Sequence, residues 1–303
     1  MKKKSASIRK RGKFRLREDE ISGYLFIGVA MVVFLAFTVY PLISAIITSF
    51  QNYKPFGSTW VKFENYETAL SNKLFWKACR NTLIYTALTV PMSLVIAFMV
   101  ALMILPFKKK TQSFFKSLYY IPAVASAVVT SMVWIWIYDS SGAGLFNQLL
   151  TFFHLPTQQW LTSSKTAMLS LVLMSLLSGN GSSVIIYIAA LMGIDNTYFE
   201  AAEVDGATFL QKVRYIVLPL CKPTTLFLLI TGVINSFQVF INAYMMTGGG
   251  PDNNTTMIGL LIFNNAFKYG KYGLACAQAI LLTILIAVMN AIQFKVAGDD
   301  VEY

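Results

Sequence analysis

The sequence has few of the residues that catalytic and metal sites use most. It contains one histidine, His154, and three cysteines, Cys79, Cys221 and Cys276, which are far apart and form no CxxC pair. A single histidine excludes a histidine-based triad or metal cluster, and the cysteine spacing argues against a disulfide framework or a structural zinc site. No GxxxxGK[ST] loop is present, so nucleotide hydrolysis by that route is excluded. We therefore assign no catalytic residue, no metal ligand and no cofactor to this chain.

Charge is also scarce. Only 13% of the 303 residues are charged, whereas a soluble domain carries about 25%. Hydrophobic residues make up 56%, and the mean hydropathy is +0.58. One globular core cannot bury this much apolar surface, so a soluble enzyme and a disordered chain are both excluded.

Long apolar runs are what the sequence has instead. A spanning helix needs about 20 mostly apolar residues. The first run is too long for the apolar region of a cleaved signal peptide and is read as a retained membrane helix. The pattern predicts an all-α polytopic membrane protein with six transmembrane helices, at about Ile21–Phe50, Leu83–Leu105, Ser117–Tyr138, Ala167–Leu191, Pro223–Met246 and Leu274–Phe294.

The placement of Lys and Arg predicts the topology. Basic residues are concentrated in the tail at 1–22 and in the segments after the second and fourth spans, such as Lys108–Lys110 and Lys212. The positive-inside rule then places both termini in the cytoplasm. The predicted organisation is a basic tail at 1–22, a transmembrane domain at 23–294 and a C-terminal tail at 295–303. Nucleic-acid binding by the basic tail lacks supporting aromatic residues or a fold, so contact with membrane lipids is the better interpretation.

The cytoplasmic loop at 192–222 has its own helical pattern. Thr197 and Glu200 have capping-box spacing, and Gly206 stands where a helix stop needs left-handed backbone angles. These signals predict a short helix over Tyr198–Asp205. A second helix is expected to follow and to end at Pro219, with an apolar face formed by Phe209, Val213, Ile216 and Val217. By itself, this pattern is also typical of an amphipathic hairpin lying on the membrane.

The loop resembles a known family signature. Glu200-Ala201-Ala202, then Gly206, then Ile216-Val217-Leu218-Pro219 match the pattern EAA-x3-G-x9-I-x-LP of permease subunits of binding-protein-dependent ABC importers. The rest of the chain, from Leu25 to Phe294, resembles the maltose, glycerol phosphate and multiple-sugar branch. The segments that carry this second resemblance are Phe63-Glu64-Asn65-Tyr66, Asn81-Thr82-Leu83, Ile121-Pro122 with Trp134 and Trp136, and Thr247-Gly248-Gly249-Gly250-Pro251.

The resemblance implies a fold, a function and a set of partners. It implies a type I importer permease (MetI-like) fold in a bacterial inner membrane and import of a sugar delivered by an extracellular binding protein. The partners would be a second homologous permease and two cytoplasmic ATPase subunits, which would bind the ATP and magnesium. Residues implied in coupling to the ATPase are Glu200, Ala201, Ala202, Asp205, Gly206, Leu218 and Pro219.

Two polar patches interrupt the predicted spans. The fourth span contains Gly179, Asn180, Ser182 and Ser183, and the fifth contains Asn235, Ser236, Gln238 and Asn242. Such groups are costly in hydrocarbon unless paired, so they serve either helix packing or a solute pathway, and the residues alone leave both possibilities open. Resemblance to the family favours the pathway and adds Gly232 and Val239 to it.

Two other classes of membrane protein share this hydropathy. An ion-coupled carrier usually keeps ionisable residues within its spans. The interiors of the later five spans contain no Asp, Glu, Lys, Arg or His. A non-transporting scaffold remains the other alternative, although it has no need for the cytoplasmic signature.

Overall fold

The computed structural model describes residues 18–54 and 57–297. These residues are mostly helical, with one antiparallel ribbon in which β1 (Gln51–Asn52) pairs with β2 (Thr59–Trp60). The tails predicted at 1–22 and 295–303 lie largely outside the described residues. The α-helices are α1 Glu18–Phe34, α2 Tyr40–Ser49, α3 Glu64–Ser71, α4 Lys73–Ile104, α5 Lys109–Val124, α6 Ala127–Ile137, α7 Leu145–Phe152, α8 Ala167–Ser178, α9 Gly181–Met192, α10 Asn196–Val204, α11 Phe209–Lys212, α12 Leu218–Leu220, α13 Lys222–Phe237, α14 Ile241–Met246, α15 Ile258–Phe263 and α16 Tyr272–Ala297.

The first span belongs to a compact unit of its own, which ends at Thr48. It is helical over Gly23–Ser49, long and apolar enough to cross a membrane, as the sequence predicts. A π-helical turn at Leu35–Val39 joins α1 to α2. The turn precedes Pro41, whose ring nitrogen cannot donate to the α-helical ladder. The amide of Tyr40 accordingly bonds the carbonyl of Leu35, five residues back.

The second unit begins at Ser49 and contains the other predicted spans. Two of them are single helices: α4, which starts ten residues earlier than predicted and continues through Pro91, and α16 over Tyr272–Val296. With Gly23–Ser49, the described residues thus contain three helices able to cross a membrane alone. Six spans are reached when each of three bent helix pairs counts as one crossing.

The unbroken helices predicted for the third, fourth and fifth spans are therefore wrong. The third is α5 and α6 at 96°, and the fourth is α8 and α9 at 45°. The fifth ends as a helix at Phe237 and resumes at Ile241 in α14. Composition does not reveal these breaks, because Gly179, Asn180 and Gln238 are all compatible with helix when their packing is unknown.

Pro219 does not end its helix as predicted. The chain stays helical through a π-turn at Val213–Val217 and α12, then bends by 64° between Leu220 and Lys222. Pro219 lies at the start of α12 and Pro223 at the start of α13, where a missing N–H group is tolerated. The bend thus falls between two helices that each have a proline as their second residue.

Helix α4 is the central element of the second unit and packs against α8, α9, α13 and α15. Its N-terminal half contributes Phe75 and Ala78 to one buried cluster and Tyr85 to another. Its C-terminal end contributes Ala101 and Ile104 to a third cluster, formed mainly with α9 and the chain around Val217. Helix α4 thereby contributes residues to all three buried clusters.

Candidate solute pathway and loop segment

The first half of the loop at 192–222 is a short helix with defined ends. Helix α10 begins after Asp195, whose side chain accepts a hydrogen bond from the Thr197 amide at 2.9 Å. It also accepts one from the Thr197 hydroxyl, and these bonds hold the pKa of the Asp195 carboxyl below its usual value. The capping box predicted for Thr197 and Glu200 is therefore wrong, because Asp195 provides the cap two residues earlier.

The end of α10 matches the prediction for Gly206. Gly206 has φ +71, and its amide bonds the Glu203 carbonyl at 3.1 Å, while the amide of Ala207 bonds the Ala202 carbonyl at 2.8 Å. This pair of bonds is the Schellman motif, which needs a left-handed residue at the glycine position. Helix α11 follows this turn. Thr208 and Gln211 form a capping box at its N-terminus.

One face of α10 packs on the membrane domain and the opposite face is free. Phe199 packs against the cluster that contains Ala101, Ile104 and Val217, and Ala202 is half-buried. The other residues implied in coupling are exposed: Glu200, Ala201, Asp205, Gly206, Leu218 and Pro219. A short helix fixed on one side can therefore present an acidic, small-residue surface on the other.

The second half of the loop buries less than its pattern predicts. Val213, Ile216 and Val217 are buried or half-buried, but Phe209 is 67% exposed and does not join their face. Leu210 and Val204 are even more exposed, at 76% and 89%. These three side chains are exposed apolar groups of the loop patch, a name used here for Val204, Phe209 and Leu210. Sequence reasoning missed the patch because it placed Phe209 inside.

An ion pair links the two halves of the loop. Lys212 Nζ lies 2.8 Å from Glu203 Oε1, joining the end of α11 to α10. The hydrogen bond and the charge of Lys212 lower the pKa of the Glu203 carboxyl. Because Glu203 is exposed, this pair contributes little to stability but favours one angle between the helices.

Most of the predicted pathway residues meet in one pocket. This pocket, called here the amide pocket, has a volume of about 250 Å³ and lies where the broken helices approach α4. Tyr85, Thr89 and Ser93 of α4 and Ser175 of α8 also line it. The predicted residues that it brings together are Gly179, Asn180, Ser183, Gly232, Asn235, Ser236, Val239 and Asn242.

Two predicted residues lie elsewhere. Ser182 lines an adjoining cavity of about 220 Å³, which shares Ser175, Gly179 and Asn242 with the amide pocket. Gln238 is exposed and lines neither cavity. Its predicted place on one helix face with Asn235 and Asn242 fails because α13 ends at Phe237.

The hydroxyl-bearing α4 residues of the amide pocket have a recognisable sequence signal. Tyr85, Thr89 and Ser93 recur at intervals of four, so they share one helix face. Hydroxyl groups in a long apolar helix often only bond their own backbone, as Thr89 does to the Tyr85 carbonyl at 2.7 Å and Ser93 to the Val90 carbonyl at 2.8 Å. Each hydroxyl oxygen still has acceptor capacity for a ligand.

The break between α8 and α9 depends on close backbone packing. A Cβ atom on Gly181 would lie 2.2 Å from the Tyr119 carbonyl oxygen, so only glycine allows α9 to approach α5 this closely. Asn180 caps the break by donating to the Leu176 carbonyl at 2.6 Å. Trp134 donates to Ser178 Oγ at 2.7 Å and holds the same turn from α6. These contacts position Gly179, Asn180 and Ser183 at the pocket.

Comparison with known proteins agrees with this architecture. A family model described as "Binding-protein-dependent transport system inner membrane component" matches residues 68–297. The chain belongs to this family. It is therefore a multi-pass membrane subunit of a transport system, and its breaks and loop lie within the matched region.

Relatives of this permease cover almost its whole length. The probable ABC transporter permease protein YesP of Bacillus subtilis is 32% identical over 99% of this chain and 96% of its own length. The arabinooligosaccharides transport system permease protein AraP of the same species is 31% identical over 91% of this chain and 88% of its own length. The lactose transport system permease protein LacF of Rhizobium radiobacter is 27% identical over 93% and 96%.

Solved structures confirm the permease fold. A chain of a bacterial ABC transporter that imports the acidic polysaccharide alginate aligns with a TM-score of 0.81, covering 94% of this chain and 98% of that one. The alginate transporter in complex with a periplasmic protein bound to alginate pentasaccharide aligns with a TM-score of 0.78, covering 91% and 93%. Both chains are 23% identical to this permease, so they establish the type I importer fold alone.

Proposed function

We propose that this permease forms half of the membrane channel of an ATP-driven sugar importer. The observation that carries the proposal is the amide pocket, where the described residues contribute hydroxyl and amide groups but no Asp, Glu, Lys, Arg or His to the wall. Neutral hydrogen-bonding groups suit the hydroxyls of a sugar, whereas an ion-coupled carrier needs ionisable relays. Relatives named for arabino-oligosaccharides and lactose support the same substrate class.

The loop at 192–222 supports coupling of this permease to separate ATPase subunits. A helix seated on α4 by Phe199 and exposing Glu200, Ala201, Asp205 and Gly206 is built to receive a partner surface and transmit its motion. We propose two cytoplasmic ATPase subunits as that partner, with ATP and magnesium bound on them. We propose that the protein lies in a bacterial inner membrane and that both of its termini are in the cytoplasm.

The other proposed partners are a second permease, an extracellular binding protein and membrane lipids. A second homologous permease is proposed to complete the pathway beside the amide pocket. An extracellular binding protein would deliver the sugar, and the alginate transporter has been solved in complex with a periplasmic protein bound to alginate pentasaccharide. Membrane lipids would surround the apolar spans, and no nucleic-acid partner is proposed.

The test is purification followed by reconstitution. Affinity purification of this chain from its native host should recover an ATPase, a second permease and a sugar-binding protein. When the complex is reconstituted with its ATPase subunits facing the lumen of proteoliposomes, sugar should accumulate in the lumen only if the lumen contains ATP. Accumulation by this chain alone, or uptake driven by an ion gradient without ATP, would refute the proposal.

A further inference from the structure

A second pocket, called here the basic pocket, lies at the N-terminal end of α4. It has a volume of about 680 Å³, and its wall includes Trp76, Lys77, Arg80, Asn81 and Asn254. This volume falls within the range of about 300–1,000 Å³ typical of small-molecule sites. Among the described residues, two cations and no Asp or Glu side chain line the pocket.

The walls of the basic pocket are fixed by hydrogen bonds. The Trp76 indole donates to the Leu70 carbonyl at 2.7 Å, which sets the plane of its ring. Asn81 is 7% exposed and donates to the carbonyls of Asn253 at 2.8 Å and Thr256 at 3.0 Å. The helix and the loop before α15 are thereby held together. A site with fixed walls loses little entropy when a ligand binds.

The two cations differ in what they contact. The Lys77 ammonium is half-buried and donates to the backbone carbonyl of Asp252, whose carboxylate lies 3.1 Å from Ser164 Oγ. Arg80 is exposed, and the described residues supply it with no hydrogen bond or ion pair. Its planar guanidinium keeps its donors available, in the geometry that fits a carboxylate or phosphate.

The basic pocket and the amide pocket are both lined by residues of α4. Arg80 precedes Tyr85 by five residues, which is about 7.5 Å along an α-helix. Ile104 lies at the end of α4 that contacts the loop segment, 24 residues after Arg80, which is about 36 Å along the helix. Along the axis of α4, the basic pocket therefore lies further from the loop than the amide pocket does.

We infer that Arg80 and Lys77 form an entry site that recognises a carboxylate or phosphate group on the transported carbohydrate. This inference rests on the proposed sugar transport and narrows the substrate class to acidic sugars. The Trp76 ring offers a face for a sugar ring beside the two cations. A concave site with two cations, in which hydrogen bonds hold Trp76 and Asn81, favours a small anionic solute over the broad, flat surface of a protein partner.

The experiment compares acidic and neutral sugars within one sample. Cells that carry the complete transporter receive a mixture of uronate-containing and neutral oligosaccharides of equal length, and mass spectrometry follows the depletion of each. Arg80→Gln and Lys77→Gln remove the charges, and Lys73→Gln is the matched control. Lys73 is exposed one turn earlier on α4 and lies outside the pocket.

If the two cations recognise charge, removing them should reduce the uptake of acidic sugars more than the uptake of neutral sugars. The wild type should deplete the uronate-containing sugars, and Arg80→Gln should slow their uptake about tenfold or more relative to the neutral ones, as expected for a lost charged hydrogen bond. Lys77→Gln should act in the same direction, and Lys73→Gln should leave the ratio unchanged. A sugar phosphate added in excess should compete with the uronate in the wild type and not in Arg80→Gln.

Three results would overturn the inference. Uptake of neutral sugars alone by the wild type would refute the acidic substrate while leaving sugar import intact. An unchanged ratio in Arg80→Gln would make Arg80 part of an interfacial belt. An equal loss for both sugars, with weaker recovery of the binding protein, would assign Arg80 to protein docking. ATP-dependent uptake of neither sugar would instead remove the proposed function itself.

Discussion

The hydroxyl oxygens of Thr86 and Ser236 lie 2.8 Å apart and join α4 to α13 in the buried interior. The Ser236 hydroxyl is also 2.9 Å from the Val233 carbonyl of its own helix, and the residue is 8% exposed. Ser236 borders the amide pocket, yet both of its short contacts are with protein groups. The geometry therefore favours helix packing for Ser236 and leaves the neighbouring Asn235, which is exposed, better placed for a solute.

The Thr86–Ser236 contact should be measurable as stability. We expect Thr86→Val to destabilise the purified complex by about 1 kcal/mol, the net value of a buried neutral hydrogen bond. The measurement is the apparent melting temperature in detergent. Thr283→Val is the matched control, because the Thr283 hydroxyl is exposed and bonds only the Ala279 carbonyl of its own helix. Equal shifts in the two variants would contradict a special role for the α4–α13 contact.

Asn235 and Gln238 provide a matched test of the amide pocket. Both are exposed amides near the end of α13, but only Asn235 lines the pocket. Asn235→Leu should lower sugar uptake about tenfold, since a lost neutral hydrogen bond costs about 1 kcal/mol and leucine also narrows the pocket. Gln238→Leu should change uptake less than about twofold. Transport kinetics and membrane abundance are measured together. A larger loss in Gln238→Leu would show that the pocket is misassigned.

Gly206 is expected to be essential for the shape of its loop. Its φ of +71 disfavours most side chains, and β-branched residues most of all. Gly206→Val should reduce sugar uptake strongly, whereas Gly206→Asn, which tolerates this conformation, should retain more of it. Uptake and ATP hydrolysis by the reconstituted complex are measured side by side.

The control for Gly206 is Gly193→Ala. Gly193 ends α9 with φ −82, an ordinary right-handed value, and should accept the change with little loss. Near-normal transport by Gly206→Val would show that the left-handed turn is dispensable. Loss of uptake with ATP hydrolysis preserved would place the defect in coupling.

The Glu203–Lys212 pair should order the loop in a pH-dependent manner. Because its folded-state pKa is lowered, the stabilising contribution of Glu203 is fully present above the unfolded pKa and is lost as the pH falls through the folded value. Amide exchange of residues 196–204, corrected for the intrinsic rate at each pH, should be slower in the wild type than in Glu203→Gln at pH 7. The difference should shrink in acid and in high salt.

Glu200→Gln supplies the comparison for this ion pair. Glu200 is exposed on the same helix and lies outside the pair. Its exchange should match the wild type at every pH. Identical exchange in Glu203→Gln and wild type would show that Lys212 does not restrain α10.

Much of the fold and part of the site follow from local patterns. Among the described residues, the predicted apolar runs overlap every helix or bent helix pair that is long and apolar enough to cross a membrane, and Gly206 ends its helix in the left-handed conformation as predicted. Both signals depend on neighbours in sequence. The cap at Asp195 was missed because Asp195 and Thr197 are both good caps, and the choice depends on where α10 meets the membrane domain. Exposure of Phe209 was missed because periodicity identifies an apolar face without showing how far its packing extends.

By itself, the sequence determined that this chain is a helical membrane protein with uncharged spans and a signature loop, since hydropathy and spacing are properties of the sequence alone. Only the tertiary structure decided that Gly179–Asn180 and Gln238–Phe240 interrupt helices, that Tyr85 and Asn235 share a pocket, and that Gln238 lies outside it. The reason is physical. A helix breaks in the membrane where neighbouring helices satisfy the freed backbone groups, and those neighbours are distant in sequence.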